Sequence, residues 1–346
     1  APATYATGPT ITVNDPVLVN YFNQSFVYGV ANSYRPSNVV NGTGARSSWT
    51  WGIVQASDSQ TVTGISLNQE TITVAATVPV GTYNMVVRVT DGKAVTSNLP
   101  VTLTITRGNP LISVSIESTS VTVGKSTRLT ITAAAPGVTG TVGLYQGNTT
   151  SLVTGCDSIT LINSTGSCLA TSSSTYGPTT IYYQYLGDSN YNSTSKLTTN
   201  QNLQFFPKNV MTYGTLTTTY GTAGSLAGTY TARGGGASNL WNWSIVKRSD
   251  SSTVSGITIN GETITASNSV PAGTYLMTIV TIDGLGDTTY TNVTVTVNPL
   301  TGLTPTFGAV TRTANGFTTF VNNYDANYGF SASVNTGTIE SGTASG

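Results

Sequence analysis

Residues 49–92 recur at 241–284, displaced by 192 positions (241 − 49) with no gap. Trp49, Trp51, Asp58, Gly64, Glu70, Pro79, Gly81, Tyr83, Asp91 and Gly92 fall on Trp241, Trp243, Asp250, Gly256, Glu262, Pro271, Gly273, Tyr275, Asp283 and Gly284. A chain that copies a block of this length is an array of similar modules, each with its own core, and not one large fold around one site. Arrays of this kind span distance or present surface, so the first expectation is a mechanical or adhesive role.

The secondary-structure signal is equally plain. Apolar and polar residues alternate in Thr-Ile-Thr-Val at 10–13 and again at 71–74, in Val-Thr-Leu-Thr-Ile at 101–105 and in Val-Thr-Val-Thr-Val at 293–297. Period-2 alternation marks strands buried on one face, and Thr, Val, Ile and Tyr fit a pleated surface. Gly, Asn, Asp and Pro punctuate the runs at short intervals, and no helical period is sustained. We therefore expect an all-β chain of tandem immunoglobulin-like Greek-key sandwiches. Linker-like stretches at Arg107–Pro110, Phe206–Asn209 and Asn298–Gly302 place the modules at 1–108, 109–207 and 208–300, with a partial module at 301–346. In the repeated block the Trp-x-Trp pairs should set both indoles on one face of a strand, and Asp91-Gly92 and Asp283-Gly284 should turn a hairpin.

Composition excludes several functions. Charged residues are 8% of the chain, balanced at 13 basic and 13 acidic, against roughly 25% in a typical soluble domain. No basic stripe faces phosphates, so nucleic acid is not an expected partner. Histidine is absent, which removes the commonest general base and metal ligand. Glu70 and Glu262 repeat as a pair, but repetition argues against a single active site, and both should face solvent. No catalytic residue, cofactor or metal is expected. No apolar run is long enough to span a bilayer. The opening Ala-Pro-Ala-Thr-Tyr would suit a chain whose leader has been cleaved, and no wall-sorting motif is visible at the C-terminus.

The segments Pro79-x-Gly81-Thr82-Tyr83 … Asp91-Gly92 and Pro271-x-Gly273-Thr274-Tyr275 … Asp283-Gly284, each closed by an alternating strand, resemble the C-terminal half of cadherin-like and immunoglobulin-like repeats of prokaryotic surface proteins. Thr139–Tyr145 and Leu186–Tyr191 resemble a bacterial immunoglobulin-like family, and Gly316-Phe317 with Asn323–Tyr328 looks like the opening of another such repeat. The resemblance implies an adhesin, surface-layer protein, filament subunit or spacer module. It raises the question of calcium at module junctions. Asp58, Asp91, Asp250 and Asp283 stand singly, however, and read as turn formers satisfied by their own backbone.

Other candidate sites follow from single residues. Cys156 and Cys168, 12 positions apart, suit a disulfide across neighbouring strands and an oxidising, extracytoplasmic setting; two buried thiols are the alternative. Seven sequons, at Asn23, Asn41, Asn148, Asn163, Asn192, Asn242 and Asn292, matter if the host glycosylates them. Asn242 lies between two tryptophans and should point outward. Tyr182-Tyr183-Gln184-Tyr185 puts aromatics on both faces of one strand, half for the core and half for a neighbour or a glycan.

The partial last module leaves strand edges and Phe317, Phe320 and Phe330 short of partners, and open edges pair readily with another chain. Tyr5, Ile11 and Val13 share one face of an extended N-terminal segment. Residues 1–15 of one subunit are expected to complete the 301–346 module of the next, a head-to-tail contact that builds a filament of identical copies. The simpler alternative is that 1–15 is the first strand of its own domain and that the chain was truncated within a longer array. The expected role is a secreted, cell-surface structural subunit; the alternatives are a stalk of an adhesin or a carbohydrate-binding accessory module.

Overall fold

The computed structural model describes residues 13–147 and 150–329; Tyr5, Ile11, Asn148 and Phe330 lie outside the described residues. Strands dominate, interrupted by two three-residue 3-10 turns, Arg46–Ser48 and Ser238–Leu240. The described residues group into two compact units. One holds the described parts of 1–117, 127–170 and 179–202, and the other holds those of 118–126, 171–178 and 203–346.

Within the first unit, seven strands form two sheets. The larger runs in the order Gln24–Val27, Thr96–Thr106, Gly81–Thr90, Thr50–Gln55, and the smaller in the order Asn32–Tyr34, Thr71–Val74, Ile65–Asn68. In chain order these are strands 1-7-6-3 and 2-5-4, an immunoglobulin-like sandwich whose first strand lies beside the last instead of in the sheet of strands 2, 5 and 4. The second unit repeats it with Thr215–Thr219, Thr288–Asn298, Gly273–Ile282 and Asn242–Lys247 in one sheet and Gly224–Ala227, Thr263–Ala266 and Ile257–Asn260 in the other. The 192-residue displacement holds beyond the block legible in sequence. It carries the small pair Leu18–Val19 with Val39–Val40 onto Val210–Thr212 with Thr229–Ala232, and one 3-10 turn onto the other.

The alternation produces the core. Along Gly81–Thr90, Met85, Val87 and Val89 are buried while Arg88 points out. On the paired strand Val101, Leu103 and Ile105 are buried. Ile53, Ile65, Ile72 and Val74 complete that cluster. Met277, Ile279, Val293, Val295, Ile245, Ile257 and Ile264 form its counterpart. The rings of each Trp pair lie side by side, with centres 6.1 and 5.9 Å apart, although Trp49 and Trp241 stand just before the strands that carry Trp51 and Trp243; the Asn242 side chain between the second pair is exposed.

The middle segment forms a three-stranded sheet, Ile112–Ile116, Ser126–Ala133, Thr165–Thr171, and a five-stranded sheet, Ser120–Thr122, Leu197–Phe206, Tyr176–Tyr185, Thr141–Gln146, Ile159–Thr160. Tyr183 and Tyr185 are buried and Tyr182 is half-buried, so the Tyr-rich strand divides its rings between core and exterior. Cys156 and Cys168 are disulfide-bonded, with Cα atoms 5.4 Å apart. The bond does not join neighbouring strands. Cys156 lies in a turn before Ile159–Thr160 of the five-stranded sheet, and Cys168 lies on Thr165–Thr171 of the other. The chain between them crosses from one sheet to the other, so the bridge ties the two layers.

Two separate cores of near-identical design should fail separately. Leu103→Ala is expected to cost the first sandwich about 2–5 kcal/mol and to leave the transition of the 215–298 sandwich in place. Scanning calorimetry would show one component moving down; a common shift of both would contradict independent cores.

Candidate functional site

The parallel pairing of first and last strands gives each repeated sandwich an entry pole and an exit pole. At the exit pole of the first, Val27 pairs with Thr106 and Gly81 with Ile105, which brings Tyr28, Val80 and Gly108 together. The Asp188–Tyr191 turn of the middle segment docks on them. The Val80 N–H donates to Asn190 Oδ1 (3.2 Å). The Gly108 N–H donates to the Asn190 carbonyl (3.0 Å), and the Asn192 N–H donates to the Gly108 carbonyl (2.9 Å). Tyr191, 1% exposed, stands edge-on to Tyr28 with ring centres 5.1 Å apart and donates its hydroxyl to the Pro136 carbonyl (3.2 Å). In this copy Gly108 leaves no room for a side chain, since a Cβ there would lie 2.6 Å from the Tyr28 carbonyl oxygen. Asp188 shapes the turn: Oδ1 accepts from the Asn190 and Tyr191 N–H groups, both at 2.7 Å, and Oδ2 accepts from Thr139 N and Oγ1, both at 2.9 Å.

The same contact recurs at the exit pole of the 215–298 sandwich. The Ala272 N–H donates to Asn327 Oδ1 (2.7 Å), the Leu300 N–H donates to the Asn327 carbonyl (2.9 Å), and the Gly329 N–H donates to the Leu300 carbonyl (3.1 Å). Tyr328 stands edge-on to Tyr220 at 6.1 Å. Asp325 Oδ1 accepts from the Asn327 N–H (2.8 Å). Each backbone bond here contributes about 0.5–1.5 kcal/mol, and an aromatic pair about as much beyond its burial. Sequence reasoning missed these contacts, although Asp-x-Asn-Tyr occurs twice, at 188–191 and 325–328.

At the entry pole of the 215–298 sandwich, within the second unit, buried Asp287 accepts from Lys125 Nζ and Thr122 Oγ1. The hairpin aspartates behave as turn formers. Asp91 Oδ1 accepts from Lys93 and Val95 N–H groups and its Oδ2 from Thr43 N and Oγ1. Asp283 Oδ1 accepts from Leu285 and Asp287 N–H groups. Gly235 stands where the first copy has Thr43, and Asp283 Oδ2, with Asn209 Oδ1, has no hydrogen-bond partner among the described residues. Two such oxygens fall short of the roughly six to eight that calcium takes, and no group of three or more acidic or Cys side chains gathers among the described residues. Asp58 and Asp250 each accept from the N–H two residues on, at 2.9 Å.

Glu70 does not face solvent. It is 8% exposed and paired with Arg35; it lies in the turn between Ile65–Asn68 and Thr71–Val74, where its carbonyl also accepts from Tyr21 Oη (2.9 Å). Glu262, in the copy, accepts from Tyr230 Oη (2.8 Å). Two equivalent shallow grooves, about 560 and 440 Å³, are lined by Gln55, Ser57 and Tyr83 in one copy and Lys247, Arg248 and Tyr275 in the other; neither brings an acid to a base. Asn23, Asn41, Asn163, Asn242 and Asn292 are exposed, and Asn192 is half-buried, its amide donating to Asn109 Oδ1 (2.9 Å). Val13 is 81% exposed, Phe317 67% and Phe320 74%.

The sequence matches no protein-family model and no curated protein. Among solved structures, the eight N-terminal immunoglobulin domains of Down Syndrome Cell Adhesion Molecule align over 82% of this chain and 37% of theirs, at 11% identity and a TM-score of 0.46. A titin fragment aligns over 82% and 98%, at 8% identity and 0.45. The Escherichia coli adhesin FdeC aligns over 82% and 99%, at 16% identity and 0.35. Superpositions this loose say nothing of what the chain binds. No helix among the described residues is long and apolar enough to cross a membrane.

Burial raises the pKa of the Asp188 carboxyl, but the hydrogen bonds from Thr139, Asn190 and Tyr191 outweigh it and hold the group below its ordinary 3.8. A carboxyl lowered on folding stabilises the folded form above its unfolded value, and that contribution is lost as pH falls through the folded one. The turn should therefore hold above pH 3.8 and loosen on further acidification. Asn190 and Tyr191 amide shifts, followed by NMR, should move with Asp188 protonation and lose that movement in Asp188→Asn. Shifts indifferent to acid in the parent chain would contradict the assignment.

Proposed function

We propose that this chain is a structural subunit of an extracellular filament or surface assembly, polymerising head-to-tail through β-strand and edge contacts. Its work is geometrical: sandwiches coupled pole to pole set length and orientation. The observation that carries the reading is the state of the last module. Its hairpin, Thr311–Thr313 with Gly316–Thr318, has every residue exposed, and Phe307, Val310, Phe317 and Phe320 are all more than 60% exposed beside it. A cluster of exposed apolar side chains next to strand edges that have no partner among the described residues favours addition of a strand from another copy. Residues 1–15 supply a segment of the right alternation, and the contact, being heterologous, extends without closing. The disulfide, the sparse charge and the exposed sequons support a setting outside the cell.

A second reading, the stalk or spacer of a surface adhesin, is favoured by the two exit-pole contacts, which need only serial coupling within one chain. A carbohydrate-binding accessory role would fall to the paired tyrosine-bordered grooves. Negative-stain imaging and sedimentation of the purified chain separate these. The filament reading expects fibres that are lost when residues 1–13 are deleted; fibres unaffected by that deletion reject strand exchange. A chain that stays monomeric at every concentration is a stalk, and retention on a polysaccharide column would favour the third role.

A further inference from the structure

The two exit-pole contacts differ in one respect that their chemistry hides. Their receiving residues follow the repeat: Tyr28, Val80 and Gly108 map onto Tyr220, Ala272 and Leu300 at the 192-residue displacement. Their inserted residues do not. Asp188, Asn190 and Tyr191 map onto Asp325, Asn327 and Tyr328 at 137 (325 − 188). The first turn lies near the end of its segment, between Tyr176–Tyr185 and Leu197–Phe206. The second follows the hairpin Thr311–Thr313 and Gly316–Thr318, in a different strand context. The inserted element therefore was not copied along with its surroundings. The same four-residue turn, in two unlike hosts, meets the same socket with the same bonds.

We propose that the exit pole of the Trp-x-Trp sandwich is a docking socket specific for an Asp-x-Asn-Tyr turn, and that this turn is a portable coupling element which fixes any module bearing it to the sandwich before it. The aspartate builds the turn by accepting from the asparagine N–H. The asparagine side-chain oxygen accepts from the N–H of the residue that immediately follows the Val-Pro step. Its carbonyl accepts from the residue leaving the last strand, and the tyrosine packs edge-on against the tyrosine that ends the first strand. The contacts common to both sockets are backbone and the one ring, so the partner is recognised by turn shape plus one amide and one phenol; in the first socket Arg107 Nε also donates to the Ser189 carbonyl (3.4 Å) and Asn109 Oδ1 accepts from Asn192 (2.9 Å). The host sandwich contributes only reach. The inference rests on the serial coupling of sandwiches proposed above, and it stands or falls independently of polymerisation.

The test is made on the full chain, with the two sockets as mutual controls. Amide exchange is followed by NMR at Val80 and Ala272 in Asn190→Ala, Asn327→Ala and Ser189→Ala. Asn190→Ala should speed exchange at Val80 by up to about tenfold, the loss of one hydrogen bond, and leave Ala272 as in the parent. Asn327→Ala should do the reverse. Ser189→Ala, which gives the first turn the four-residue sequence of the second, should leave both amides protected. Unchanged exchange at Val80 in Asn190→Ala would overturn the proposal, as would equal acceleration at both sockets in either variant, or opening of the first socket by Ser189→Ala. Loss of fibres with intact protection would count against the filament alone.

Discussion

The parallel pairing of a sandwich's first strand with its last governs the rest of the structure. Gln24–Val27 against Leu103–Thr106, and Thr215–Thr219 against Thr294–Asn298, are the parallel pairs of sheets that are otherwise antiparallel. Because the two strands run the same way, the chain enters at one pole and leaves at the other. The last strand ends beside the residue that follows the first, and the Tyr28 N–H and Tyr220 N–H donate back to Thr106 and Asn298 carbonyls at 2.9 Å. That arrangement makes the exit pole a fixed surface of backbone donors and one ring. A different strand order would scatter those groups, and no turn could meet them together.

What holds each sandwich is apolar burial, with few charges spent inside. Those few have definite tasks. Glu70 with Arg35 pins the end of the small sheet. Asp91 organises its hairpin through four hydrogen bonds, which overcome the upward push of burial and keep its carboxyl below the ordinary value. Asp287 with Lys125 and Thr122 does the corresponding work at an entry pole. The cations of both pairs, Arg35 and Lys125, are mostly exposed, and the buried members are the Glu70 and Asp287 carboxylates; leaving a buried acceptor short of its partner costs about 1–3 kcal/mol. The surface, rich in hydroxyls and amides, is left for contact with other molecules.

Much of the fold was legible because its signals are periodic. Val101, Leu103 and Ile105 alternate with threonines, and a sheet with one buried face has only one register that buries all three. The 192-residue copy implied two like sandwiches, and the Asp-Gly step implied the hairpin. Other features depend on where the fold carries the chain. Cys156 and Cys168 are close in sequence, yet the strand between them changes sheets, which spacing does not reveal. Glu70 reads as exposed because a carboxylate before Thr-Ile-Thr commonly is; the residues that contact it, Arg35 and Tyr21, lie 35 and 49 positions earlier. The exit-pole contacts escaped because the socket is mostly backbone: Val80 and Gly108 carry no chemical signature, and Asn190 lies 110 residues from its partner. The turn itself was visible, but as a mark of family resemblance and not as a contact.

The central claim is that these sandwiches are separate bodies, each closed by the parallel pairing of its own first and last strands. Stretching single chains from their ends tests it most directly, because pulling on Gln24–Val27 and Thr96–Thr106 shears a parallel ladder whose bonds must break together. The account predicts discrete force peaks, two of them releasing equal lengths of chain, for the sandwiches that span 24–106 and 215–298. Smooth extension at low force, or one event releasing the whole chain at once, would contradict it.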